Sequence, residues 1–98
     1  MGKIYAGDIG TEIRVDIQED LTEAVLTRLK VRKPDGTEAE WEPSVTENED
    51  GLLSVLRYIT VLGDIPIRGV YKIQPYVEFN VWKGSGESVR LDVAGSFQ

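Results

Sequence analysis

The residues of this chain that can do chemistry are carboxylates and little else. Asp and Glu number 17 against 11 Lys and Arg, and His and Cys are both zero. Without His, the commonest general base and the commonest transition-metal ligand are missing. Without Cys there is no disulfide, no thiolate nucleophile and no Cys-based metal site. Ser and Thr hydroxyls have only Lys or carboxylates to activate them, and no two carboxylates are spaced as an acid/base couple. The run Glu47-Asn48-Glu49-Asp50-Gly51 offers oxygen ligands and the Gly turn that Ca²⁺ takes. Its spacing matches no EF-hand loop, and a solvated acidic loop is the stronger reading of residues 47–51. Asp8, Asp20 and Asp35 are scattered and read as turn or cap residues. Gly84-Ser85-Gly86 is too short to cradle a phosphate and reads as a hairpin loop. A formal net charge of −6 opposes binding to nucleic acid or to an anionic membrane. The expectation is a protein with no catalytic activity, cofactor, metal or small-molecule substrate, and with neither nucleic acid nor membrane as a partner.

The aromatic residues carry more. Gly69-Val70-Tyr71 places a Gly two residues before a Tyr at the start of a long alternating run. This is how a tyrosine corner looks in sequence, with the ring packed and the hydroxyl bonded to backbone a few residues upstream. Gly69 and Tyr71 are therefore structural residues, and so is Trp41, on the inward face of its strand. Tyr76 and Trp82 fall on the face opposite Tyr71, Ile73 and Phe79. Packing in the core or at an edge is the default for such rings. Two exposed aromatics on that face, beside Lys72 and Glu78, would instead mark a partner surface or a sugar platform.

The elements that position these residues are strands. Residues 11–18 alternate, with Ile13, Val15 and Ile17 inward and Glu12, Arg14 and Asp16 outward. A short edge strand over residues 3–6 precedes them, broken by Gly7-Asp8. Residues 19–24 form a connecting turn that drops Leu21 and Ala24 onto the core. Residues 25–33 are a strand with Val25, Thr27, Leu29 and Val31 on one face. Pro34-Asp35-Gly36 turns the chain into residues 37–42, where Ala39 and Trp41 point inward. Residues 43–51 read as an exposed loop. Residues 52–62 are apolar and β-branched, which favours a strand, although Leu52, Val55, Leu56 and Ile59 also fit helical spacing. Residues 70–81 alternate around Pro75, which predicts a bulge or an edge there. Residues 83–86 form a loop, and residues 87–95 close the chain with Val89, Leu91 and Val93 inward. Strands with turn signals about every ten residues predict an all-β, immunoglobulin-like antiparallel β-sandwich of about seven strands.

The 98 residues match one such domain, spanning residues 1–98. Hydrophobic content of 41% and charged content of 29% are ordinary for a folded domain. Met1-Gly2-Lys3 leads into no apolar signal-peptide core, and no apolar run approaches the roughly 20 residues of a membrane span.

The order of these signals carries a resemblance. Gly7-Asp8-Ile9-Gly10 leads into Glu12-Ile13-Arg14-Val15-Asp16-Ile17, then Glu19-Asp20-Leu21-Thr22-Glu23-Ala24, a strand, and Lys33-Pro34-Asp35-Gly36. Gly69-Val70-Tyr71 opens a later strand, and Val89-Arg90-Leu91-Asp92-Val93 ends the chain. This resembles the small immunoglobulin-like modules of tailed bacteriophages, of the type at the N-terminus of siphophage upper baseplate proteins. In that family a D-x-G segment precedes a strand, a D-L-T-x-A turn leads to the next, and x-P-D-G makes the following hairpin. The resemblance covers nearly the whole chain, which is expected to be an entire small reading frame. It implies a non-catalytic structural module of a phage or prophage particle, in the tail or baseplate, made in the host bacterial cytoplasm and carried in the virion. Its implied partners are other phage structural proteins and further copies of itself. The rival expectation is a carbohydrate-binding or adhesin-type sandwich using Tyr76, Trp82 or the acidic loop.

Overall fold

The computed structural model of the chain describes residues 4–95. Among these residues there is no helix; eight strands form two antiparallel sheets. β1 (Glu12–Asp16), β5 (Leu53–Ile59) and β4 (Ser44–Glu47) make the first sheet, in the order β1-β5-β4. β3 (Glu38–Trp41), β2 (Leu26–Arg32), β6 (Gly69–Glu78), β7 (Lys83–Ser85) and β8 (Val89–Val93) make the second. There β6 lies between β2 on one side and β7 and β8 on the other. The arrangement is that of a β-sandwich.

Two-residue alternation produces this layering. Ile13 and Val15 of β1, Leu29 and Val31 of β2, Trp41 of β3, and Tyr71, Ile73 and Val77 of β6 are buried together with Leu56 and Val93. Ile17, Phe79 and Leu91 pack against that core partly buried. Leu21 is buried and Ala24 packs beside it, as expected of the 19–24 turn. Residues 52–62 are resolved in favour of a strand, whose Leu56 is fully buried.

Several expected boundaries move, each for a local reason. Residues 43–51 are not all loop. Ser44–Glu47 is an edge strand, because Val45 and Thr46 pair with Leu56 and Val55 before the acidic run begins. The chain crosses from β3 to β4 over only Glu42 and Pro43, so one extended segment edges both sheets in turn. Residues 83–86 are likewise not a loop. The tight turn lies earlier, at Asn80-Val81, where Phe79 N donates to Trp82 O at 2.6 Å. Lys83–Ser85 then returns along β6 as β7. Two expected core residues are outside: Val25 precedes the first residue of β2 and is 58% exposed, and Val89 opens β8 at 40% exposed. Of the expected 3–6 edge strand, Lys3 lies outside the described residues. Tyr5 makes a single parallel bridge to Ala94 at the end of β8.

Pro75 produces neither a bulge nor an edge. It sits buried within β6, opposite Leu29 of β2 in an unbroken register. Its carbonyl accepts from Gly86 N at 2.9 Å, on the side away from β2. In an antiparallel strand a residue's N and O point the same way. The missing N–H therefore faces the seam where β7 leaves β6 and β8 joins it, and no ladder bond is lost.

Candidate interaction surface

The corner preceding β6 is built from three contacts. Tyr71 is fully buried. Its hydroxyl donates to Ile67 O at 2.6 Å and accepts from Ile67 N at 3.2 Å. That is the geometry of a tyrosine corner. Burial pushes the phenol pKa up. Gly69 is needed for two reasons: its φ is +131°, and a Cβ there would lie 2.7 Å from Cβ and Cγ of Pro34. The turn proline of the β2–β3 hairpin thus packs on the glycine of the next corner. Trp41 stacks on Tyr58 with ring centroids 4.8 Å apart. Tyr58 in turn donates to Asp64 Oδ2 at 2.6 Å, and the same oxygen accepts from Val61 N. Burial, with that carboxylate second, pushes the Tyr58 pKa up to about 12. Tyr71, Trp41 and Gly69 are framework and leave the outer surfaces to act.

The outer face of the second sheet is a charge ladder. Arg32 faces Glu38 and Lys30 faces Glu40 in register. Arg32 Nη2 lies 2.8 Å from Glu38 Oε2, and Arg28 Nη2 lies 3.5 Å from Glu42 Oε1. Both arginines of β2 therefore pair with a carboxylate of the β3 segment, while Lys30 is only opposite Glu40 in register. Lys72 of β6 stands between Arg32 and Arg90 in register. No ion pair forms at Lys72 among the described residues. Tyr76 lies beneath Lys30 Nζ, 4.5 Å from the ring centroid, and donates to Glu78 Oε2 at 2.7 Å. That bond, more than burial, raises the Tyr76 pKa. A shallow groove of about 680 Å³ runs over Lys30, Arg32, Glu38, Lys72 and Gln74.

Lys72, Tyr76 and Glu78 share this face, but Trp82 does not. The chain leaves β6 at Glu78, and the Asn80-Val81 turn resets the alternation. The Trp82 ring folds to the inner side, 6.0 Å from Phe79 and over Gly84, where a Cβ would meet it at 2.8 Å. Gly84 is opposite Val77, whose side chain is in the core. Trp82 thus caps one end of the sandwich, 52% exposed.

Sequence reasoning missed two apolar tips. At one, Val81 is 96% exposed beside Trp82, and the exposed Val25 at the start of β2 donates its N–H to Glu78 O at the same end of β6. At the opposite end Leu62 is 83% exposed; Val61 and Ile9 are exposed with it, brought together by Gly10 N to Thr60 O. The signal was present: apolar residues within turns, Val81 after Asn80 and Val61-Leu62 before Gly63-Asp64.

The acidic loop closes on itself. Asn48 Oδ1 accepts from Asp50 N at 2.8 Å and Leu52 N at 3.0 Å. No group of three or more acidic ligands gathers for a metal among the described residues. Asp8, Asp20 and Asp35 are turn residues, accepting from Tyr5 N, Thr22 N and Thr37 N. No protein-family model, curated protein or solved structure matches the chain.

Proposed function

We propose that this chain is a non-catalytic, immunoglobulin-like module that docks other structural proteins of a bacteriophage or prophage particle. The immunoglobulin-like reading is supported by the strand order, β1-β5-β4 against β3-β2-β6-β8, and by the Tyr71 hydroxyl bonded to Ile67 where β6 begins. The docking reading is carried by one observation: large apolar side chains stand in solvent at both ends, Val81 at 96% and Leu62 at 83% exposure. Clustered apolar side chains in solvent mark protein–protein contact sites. The particle itself is supplied by the resemblance of the Gly7–Gly10, Asp20–Ala24 and Pro34–Gly36 motifs to phage modules. The partners are other virion proteins, met in the host cytoplasm during assembly. The test is mass spectrometry of particles purified after prophage induction from a host carrying this gene. The chain should be present at a fixed ratio to tail proteins; its absence from intact particles contradicts the phage role.

A second reading, a carbohydrate-binding or adhesin-type module, is favoured by the half-exposed Trp82 indole beside Phe79. Such rings stack on sugar faces. A glycan array read with wild type and Trp82→Ala separates it from the first.

A further inference from the structure

The sheets have several edges, and most are blunted. The β3 segment is four residues long, carries Glu38 and Glu40, and runs into Pro43. β4 is four residues with a register shift between Thr46 and Glu47. β7 is three residues, and β8 ends in the bridge from Tyr5. Short strands, charges, prolines and bulges are how proteins protect edges from pairing. β1 also carries charges, Glu12, Arg14 and Asp16, but it has neither a proline nor a bulge. It is five residues in straight register with β5.

The backbone of β1 shows which groups are open. Thr11 O accepts from Thr60 N, and Ile17 N donates to Ser54 O, both toward β5. Ladder groups alternate along an antiparallel strand, so Ile13 and Val15 also face β5. The N–H and C=O of Glu12 and Arg14 face away from it. No backbone partner meets them among the described residues.

We propose that β1 pairs antiparallel with β1 of a second copy, centred on Ile13, joining two three-stranded sheets into one. In this register Glu12 and Arg14 exchange main-chain hydrogen bonds with Arg14 and Glu12 of the other copy. Their side chains then form opposite-charge pairs, twice by symmetry. Centring on Arg14 instead sets Arg14 against Arg14 and Glu12 against Asp16, all like charges. The Glu12/Arg14 pattern is self-complementary, which favours a second copy, and charge opposes the Arg14-centred register. Centring on Val15 would pair Arg14 with Asp16, whose Oδ1 already accepts from Gln18 N and the Ser54 hydroxyl. In the Ile13 register, by contrast, Arg14 of the other copy joins Arg57 and Arg14 on Glu12. The contact is small, so the dimer is weak and concentration-dependent.

The experiment is sedimentation equilibrium over a concentration series. The mass should rise from 10.9 kDa toward twice that value. Arg14→Pro removes an outward N–H without removing a β1–β5 bond. It should stay at the single-chain mass with an unchanged circular dichroism spectrum. Should Arg14→Pro fail to fold, Arg14→Glu gives the reading, because it sets carboxylates opposite Glu12 and should weaken dimerisation at least ~tenfold. A wild type that remains single up to ~1 mM, or an association that survives in the folded variants, overturns the proposal. So does a monomer that loses a virion partner on Arg14→Pro, which would give the edge to that partner's strand. The phage reading has its own assay in purified particles, so either can fail alone.

Discussion

Tyr71 and Gly69 fix one corner by different physics, and single substitutions separate them. Tyr71→Phe keeps the ring but leaves Ile67 N–H and C=O without their partner. It should lower stability by about 1 kcal/mol or somewhat more, measured by denaturant unfolding. Gly69→Ala meets both an unfavourable φ and the Pro34 side chain. It should cost about 1–3 kcal/mol and exceed Gly36→Ala, where φ is +88° but the space is open. Titration gives a second residue-scale test. The Tyr58 pKa is raised in the folded state, to about 12 from 10.0. Its contribution is therefore complete below pH 10 and lost as pH rises from 10 through 12. Asp20 and Asp35 are shifted the other way, first by the Thr22 and Thr37 hydroxyls. Their contribution is complete above the ordinary value of 3.8 and fades as pH falls below it. Unfolding midpoints against pH should fall at both extremes, and Tyr58→Phe should flatten the alkaline fall. Tyr71 and its bond were legible because the corner is local, two residues after a Gly. The Gly69–Pro34 contact was not, because it joins positions 35 apart in sequence.

At the scale of elements, alternation located five of the eight strands, because one buried face imposes a two-residue period, and β-branched composition located a sixth, β5. Alternation failed on β4 and β7. Both are short edges whose pattern is set by pairing with β5 and β6 rather than by burial. It also misplaced Trp82, since a turn at Asn80-Val81 reverses the inside–outside count. The β2–β3 ladder was visible as Arg28, Lys30 and Arg32 before Glu38, Glu40 and Glu42, yet only the structure pairs Arg28 with Glu42 and Arg32 with Glu38 and sets Lys30 opposite Glu40. Glu40→Lys should set like charges opposite Lys30 and lower stability by roughly 0.2–1 kcal/mol. Lys72→Glu should do the reverse. It places a carboxylate between Arg32 and Arg90, so stability should hold or rise slightly. Any loss of docking in Lys72→Glu, seen in a pull-down, then reports the surface and not the fold. Pro75, read as the mark of a bulge or an edge, is interior, so β6 offers no free edge there.

At the scale of the molecule, the described residues measure 46 × 28 × 20 Å. The apolar tips at Val81 and Leu62 lie at opposite ends of that body, where loops and not strands present them. The sequence named the architecture through its periods and turns, but the tips depend on which apolar residues the two sheets leave uncovered. Far-ultraviolet circular dichroism should show β-structure without a helical component. The most direct measurement of the docking account is binding of the purified chain to the products of its neighbouring genes, wild type against Val81→Asp. Val81 contributes nothing to the core at 96% exposure, so the variant should unfold at the wild-type midpoint. The account predicts that wild type retains one of those products and that Val81→Asp weakens the complex at least ~tenfold. A wild type that binds none of them, yet binds a glycan array and loses that binding on Trp82→Ala, contradicts it.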